Sequence, residues 1–351
     1  MPKETMSPRE RWLAVLTRQT PDRVPMDYWA TGEATAKLLQ HLNCDASEMQ
    51  RRLHIDKPVG VGGRYVGPPP REGEDIWGLR HKQVDYGTGV YNEAINAPLA
   101  GYRSVEEIEA NHPWPSPEHW DYSNLVNDIK GKEHLPIQGG GSEPFLLYKQ
   151  LRGQEQAFMD LIEHREIVHY CLDKLFELAY HNTLRIFEAI PGKVLITYVA
   201  EDLGSQTGLL LSPAQIHEFL LPRMKRMMDL TRQNGAIVFH HSDGAVRPIL
   251  PAMIEAGINV LNPVQWRCSG MEREGLKRDF GDKLVFHGAM DNQYTLPFGT
   301  VAEVRQEVLD NYRILGEGGG YILASCHNIQ SVGPPENVVA MYETGYEYGW
   351  R

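Results

Sequence analysis

The chain has 351 residues, 42% hydrophobic and 23% charged, an ordinary globular composition long enough to bury a substantial core. Its 46 acidic residues outnumber 35 basic ones, for a net charge of −11. That disfavours a general nucleic-acid or anionic-membrane binder, because such proteins need cationic surface to displace counterions.

The four cysteines (Cys44, Cys171, Cys268, Cys326) form no CxxC pair and no disulfide-like spacing, so a reduced, cytoplasmic setting is expected. The N-terminal MPKETMSPRERW is charged and lacks the apolar stretch of a secretory signal. No apolar run approaches the roughly 18 residues needed to span a bilayer.

In chain order, RVPMDYW (23–29) is a candidate first strand. Residues 57–105, with VGVGGRYVGPPP, read as long loops or a partial lid within a single domain spanning 1–351. LPIQGG (135–140) is a strand candidate running into Gly139, Gly140 and Gly141, and 155–189 carries apolar residues at helical spacing. KVLITYVAED (193–202) is the next strand. Ser212-Pro213 reads as an N-cap followed by a first-turn proline, opening a helix over 213–233. AIVFHH (236–241) is a strand, Arg247 to Ala256 a short helix stopped by Gly257, and INVLNPVQ (258–265) a strand again. A helix over 270–280, the strand KLVFHGAMD (283–291), a helix over 300–316, the strand GGYILASCHN (319–328) and a helix from Pro335 complete the series. Strands alternating with helices imply parallel β-α units, and their number predicts an α/β fold with a single (β/α)8 TIM barrel. A doubly wound sheet is the competing architecture, but no strand is followed by G-x-G-x-x-G.

Strand after strand ends in polar chemistry: Gln138; Tyr198 with Glu201 and Asp202; His241 with Asp243; Asn262 with Gln265; His287 with Asp291; His327 with Asn328. In a barrel these ends meet at one face, which carries the active site. His241 and Asp243 stand two apart on an extended segment, so both side chains point the same way. Both suit Zn²⁺ or a similar divalent ion, with His327 the natural third ligand from a distant strand; the competing reading is a metal-free hydrogen bond between them. His240 faces the other way and is expected to be packed. Glu201 or Asp202 is expected to position substrate or handle a proton. Tyr198, Gln265, His287, Asp291 and Asn328 are expected to line the substrate pocket. Cys268 is expected to be a free thiol with no role. The aromatics Tyr28, Trp29, Tyr65, Trp77 and Tyr86 are expected either to cover a flat ligand or, each singly, to pack.

HSDGAVRPILPAMIEAGINVLNPVQ, LKRDFGDKLVFHGAMDNQYTLPFGT and GGGYILASCHNIQSVGPPENVVAMYE resemble the uroporphyrinogen decarboxylase superfamily, most nearly its methyltransferase-like branch. EDLGSQTGLLLSP and RERWLAVLTRQTPDRVPMDYW fit the same pattern, so the resemblance covers nearly the whole chain. It implies one (β/α)8 barrel with a cleft at the strand C-termini. The decarboxylases hold substrate carboxylates with an arginine-rich RQAGR motif, and DRVPMDYWATGEATAKL has no such arginine pair. The methyltransferase branch moves methyl groups to or from a corrinoid and holds zinc with H-x-C and a later cysteine. Here Asp243 replaces the first cysteine and His327 lies about where the second would be, a harder set that suits Zn²⁺ but also Fe²⁺, Mn²⁺ or Co²⁺.

The resemblance therefore implies a corrinoid-linked methyltransferase acting on a small methylated substrate through a large, exposed mouth. No D-x-H-x-x-G corrinoid motif occurs in the chain, which puts the corrinoid on a partner protein. Two alternatives stand beside it: a metal-free carboxy-lyase, and a tetrapyrrole- or small-ligand-binding protein without catalysis.

Overall fold

The computed structural model describes residues 3–87 and 89–351. Seven parallel strands form one sheet in strict sequence order: β1 (Val59–Val61), β2 (Ile137–Ser142), β3 (Ile196–Ala200), β4 (Ile237–His241), β5 (Val260–Val264), β6 (Val285–Met290) and β7 (Tyr321–Ser325). β5, β6 and β7 are buried at every position, as parallel strands covered on both faces must be. Beyond β7 the chain's own 24–30 segment lies alongside it, with isolated parallel bridges Met26–Leu323 and Ala30–Ile329. On its other side Met26 O accepts from Asp56 N, 2.7 Å away and just before β1. The sequence-predicted strand at 23–29 is thus extended and bridged rather than a full ladder member; Pro25 has no N–H to give.

The 57–105 region departs from the expected loop-rich lid. Its first residues are β1, hydrogen-bonded in register to Ile137–Gly139, and His81–Asp85 pairs antiparallel with Val90–Ala94 as a largely exposed hairpin. β1 escapes the sequence pattern because two of its flanking residues are glycines and it is only three residues long.

The predicted helices form, the one over 155–189 as two, Gln154–Glu163 and Arg165–Ala189, interrupted at His164. Ser212 caps Pro213–Gln215 with a reciprocal Gln215 capping box. The 213–233 helix is not uniform, however: Ile216–Leu220 is a π-turn before Leu221–Gln233. Pro222 has no N–H to return to the preceding turn, so the wider turn relieves that step. Helix Pro8–Leu16 places Trp12 inside the lower end of the sheet with Ile196, Phe239, Val260, Val285 and Ile322. Above this plug the aromatic packing continues, with Phe239 against Tyr198 (6.2 Å) and His287 (5.1 Å), and it ends at the strand C-termini. No helix of the described residues is long and apolar enough to cross a membrane.

Candidate active site

The loops after β3 and β4 approach backbone to backbone. A Cβ at Gly204 would stand 2.5 Å from Asp243 O, and one at Gly244 (φ +84°) would stand 2.5 Å from Ser205 O. Only glycine permits this approach, and Ala245 N donates to Ser205 O across it (2.7 Å). Asp202 and Asp243 are thereby held side by side, with His241 between them at the end of β4. One ligand atom from each of the three lies within 4.8 Å of the others. His241 Nε2 is 3.6 Å from Asp202 Oδ1, and His327 Nε2 is 3.6 Å from Asp243 Oδ2. The predicted trio His241, Asp243 and His327 is therefore rearranged: Asp202 joins the compact set, and half-exposed His327 stands at its rim against Asp243.

The tautomer of His241 follows from a chain of hydrogen bonds. Asp27 can only accept, and takes Trp29 Nε1–H (2.7 Å) and His287 Nε2–H (3.0 Å). With Nε2–H given to Asp27, His287 offers Nδ1 as the acceptor for Asn262 Nδ2–H at 2.7 Å. That turns Asn262 Oδ1 toward His241, whose Nδ1–H donates to it at 2.6 Å. His241 Nε2 is left with its lone pair facing the two aspartates, which is how a ligating histidine is oriented by its neighbours. Trp29 and Tyr198 stack on the ring (centroids 6.0 and 5.5 Å) and pack against each other (6.4 Å).

Two glutamates stand near the cluster. Glu201 is buried; Oε1 accepts from Phe145 N (2.9 Å) and Oε2 has no partner. Burial holds its carboxyl well above the usual range, so it stands as a neutral acid. Glu143, at the end of β2, is pushed up to about 7 by burial and by Asp202 and Asp243, with Lys149 opposing. Burial also raises Asp243, against the pull of His241 and His327. Asp202 Oδ1 and Asp243 Oδ1 are buried without a hydrogen-bond partner, a condition that buried carboxylate oxygens avoid unless a ligand or ion satisfies them. Two carboxylates and one imidazole with a free lone pair fit a divalent cation in donor chemistry.

Other predicted site residues lie away from the opening. His287 is fully buried and locked between Asn262 and Asp27, so it orients His241 rather than lining a pocket. Gln265 Oε1 takes Gly244 N at 2.6 Å and fixes the Asp243 loop. Asp291 is saturated by Arg267 Nε, the backbone N–H of Gln293, Tyr294 and Thr295, and the Thr295 hydroxyl, and caps the turn after β6. Asn328 takes Asn292 and Gln330 side chains on its backbone oxygen. Tyr198 does stand at the cluster. His240 is turned away as expected: its Nδ1–H bonds Val199 O (2.8 Å), and burial lowers its pKa to about 4. The Cys326 thiol is buried, donates to Val264 O and is raised well above its ordinary pKa by burial, so it offers no thiolate. Cys268 is buried too and reaches Gln206 Oε1 (3.4 Å).

Glu143, Asn262 and Asp27 escaped the sequence-based selection as site residues, and Trp29 stood only among the aromatics expected to cover a flat ligand or to pack. Each ends or follows a strand, so the same rule, applied to GGGSE and to RVPMDYW, reaches Glu143, Asp27 and Trp29. Asn262 stood among the polar strand ends without a role.

Asp202, His241 and Asp243 line none of the cavities described below. The cavity lined by Glu143 measures about 250 Å³, and larger ones of about 350 and 450 Å³ lie elsewhere, the first beside the 65–78 loops and the second against helix Val301–Ile314.

Residues 83–348 match the family model described as uroporphyrinogen decarboxylase (URO-D). Uroporphyrinogen decarboxylase of Shewanella pealeana is 23% identical over 380 aligned positions, covering 96% of each chain. The chloroplastic uroporphyrinogen decarboxylase of Zea mays is 26% identical over 211 positions, 59% of this chain and 47% of that protein. Among solved structures, a methyltransferase from Methanosarcina mazei is similar with a TM-score of 0.70 over 98% of this chain and 99% of that one. At 19% identity that likeness is one of fold.

Proposed function

The chain belongs to the uroporphyrinogen decarboxylase family, and within it we propose a metal-assisted methyltransferase that works with a corrinoid carried on a partner protein. We take the seven strands and the 24–30 segment together as a (β/α)8 barrel whose C-terminal mouth is the active site. The observation that carries the reading is the Asp202–His241–Asp243 cluster, with its two orphaned carboxylate oxygens and a lone pair turned toward them. These three residues would hold the ion, with His327 available at the rim. Zinc suits the set best, and iron, manganese or cobalt would also fit. Bound there, a divalent ion would supply positive charge and Lewis acidity at the mouth.

The chain's own residues do the rest. Asp27, His287 and Asn262 keep His241 in one tautomer. Glu201, neutral and buried beneath the cluster, can hold a proton. Tyr198 and Trp29 wall the site. A cavity of about 250 Å³ lies just below the roughly 300–1,000 Å³ of drug-sized ligand sites, so it suits a small substrate. It would not enclose a corrin ring, and the corrinoid is therefore assigned to the protein surface on a partner.

The names of the curated relatives favour a second reading, decarboxylation of a carboxylated substrate. Against it stands the acidity of the mouth: Glu143, Asp202 and Asp243 gather there, and among the described residues none of them has an arginine or lysine ion pair.

Protein purified without chelator should contain stoichiometric divalent metal by mass spectrometry, and His241→Ala and Asp243→Asn should lose it. Incubation of wild type with cob(I)alamin and methylated donors should shift the corrin absorbance bands toward methylcobalamin. Metal-free protein whose ligand binding survives His241→Ala, together with unchanged corrin bands, would overturn the reading.

A further inference from the structure

Against the acidic mouth lies a cavity whose lining has a chemistry of its own. It sits between the end of β2 and helix Arg165–Ala189 and is walled by Trp77, Trp120, Leu147, Leu175 and Leu178. Its polar lining includes Glu143, Asn182 and the hydroxyl-bearing Thr183. The Thr183 hydroxyl is spent, giving its proton to Ala179 O and receiving Gly141 N–H. Asn182 Oδ1 is buried and without a hydrogen-bond partner. Among the described residues no lysine or arginine lines the space. What it offers an occupant is therefore a carboxylate, a vacant amide oxygen and two indole rings.

We propose that this cavity is the substrate's seat and that the substrate class is a small alkylated ammonium ion. The inference rests on the methyltransferase reading and names the methyl donor's chemistry within it. Indole faces attract cations through the ring quadrupole, and alkylated ammonium groups, which cannot satisfy a full hydrogen-bond shell, are the cations such walls select. Glu143 supplies the opposite charge from the loop that follows β2. A divalent ion would balance only part of the four carboxyl groups gathered here, so an anionic occupant is repelled and a cationic one is drawn in. The transfer balances. The C–N bond breaks with its electron pair staying on nitrogen, and the methyl group joins a reduced corrinoid that brings its own pair. The ammonium leaves as an uncharged amine, for which the walls have less hold.

Three probes of one shape and different charge test it: choline, 3,3-dimethyl-1-butanol and 3,3-dimethylbutyrate, titrated against the whole protein by calorimetry and tryptophan fluorescence. Choline should bind at least about tenfold more tightly than the neutral alcohol, and the carboxylate should not bind. Glu143→Gln should weaken choline about tenfold and leave the alcohol unchanged, while Trp77→Ala and Trp120→Ala should each weaken choline and remove part of the quenching. Equal binding of choline and the alcohol, or preference for the carboxylate, would overturn the assignment. The same titrations on chelator-treated protein separate this failure from that of the parent reading. Choline binding should survive metal removal, because Glu143 and the indoles are not metal ligands. Choline binding in a protein that never holds metal would sink the parent reading and keep the cavity's specificity.

Discussion

At the N-terminal end of the strands, Asp22, Asp56 and Glu4 are met by Arg11 and Arg23. Asp56 alone accepts Arg11 Nη1 (2.6 Å), Arg23 Nη1 (2.8 Å), Arg23 Nη2 (3.1 Å) and the Met26 N–H (3.0 Å). At the C-terminal end, Glu143, Glu201, Asp202 and Asp243 have no arginine or lysine ion pair among the described residues. The contrast lies in compensation, not in residue type. A hydrogen bond from His54 and the neighbouring Arg23 and Arg11 hold Glu4 down at about 2, whereas burial and like charge lift Glu143 to about 7. The lower cluster is finished within the chain and ties the N-terminus to the sheet. The upper one is left with negative charge and unsatisfied oxygens, the state of a site that awaits a cation.

Breaking each cluster should therefore change stability with opposite sign. Asp56→Ala strands two buried guanidinium groups and should destabilise the chain by about 3–5 kcal/mol, read as a lower urea midpoint. Asp243→Asn removes a carboxylate that burial disfavours despite His241 and His327 and should stabilise the metal-free protein by about 1 kcal/mol. With metal present the sign should reverse, because the wild type alone gains the ligand's binding energy. If Asp243→Asn destabilises the chelated protein as Asp56→Ala does, the two ends are compensated alike and the contrast fails.

How much of this could be read from residues alone follows the same division. The alternation of strands and helices from Leu135 onward was legible because each strand is an apolar run bounded by turn residues, and nearly every element formed within a few positions. The direction of His241, with Asp243 beside it and His240 turned away, followed from the two-residue period of an extended segment. What periodicity does not carry is lateral distance. That Asp202 rather than His327 completes the compact set depends on Gly204 and Gly244 letting two loops touch. That His287 and Gln265 serve other site residues instead of a substrate depends on which atoms face Asn262 and Gly244. β1 was missed because three residues with a central glycine carry no pattern at all.

The gentlest test works through pH, where the two ends tilt stability in opposite directions. Glu4 is lowered from 4.5 to about 2 in the fold. Its contribution is fully present above the unfolded value and is lost as pH falls through about 2. Glu143 is raised from 4.5 to about 7, so the fold binds its proton more tightly than the unfolded chain does. Its contribution is fully present below about 4.5 and is lost as pH rises through about 7. Partial exposure screens the effect, which leaves about 1–2 kcal/mol of decline across that window in chelated protein. Glu143→Gln should flatten the decline, measured as urea midpoints at intervals through the window, while Glu4→Gln should leave it unchanged. A decline that persists in Glu143→Gln would move the raised carboxyl to Asp243 or Glu201. The cavity would then lose the acid assigned to hold a cation beside its tryptophans.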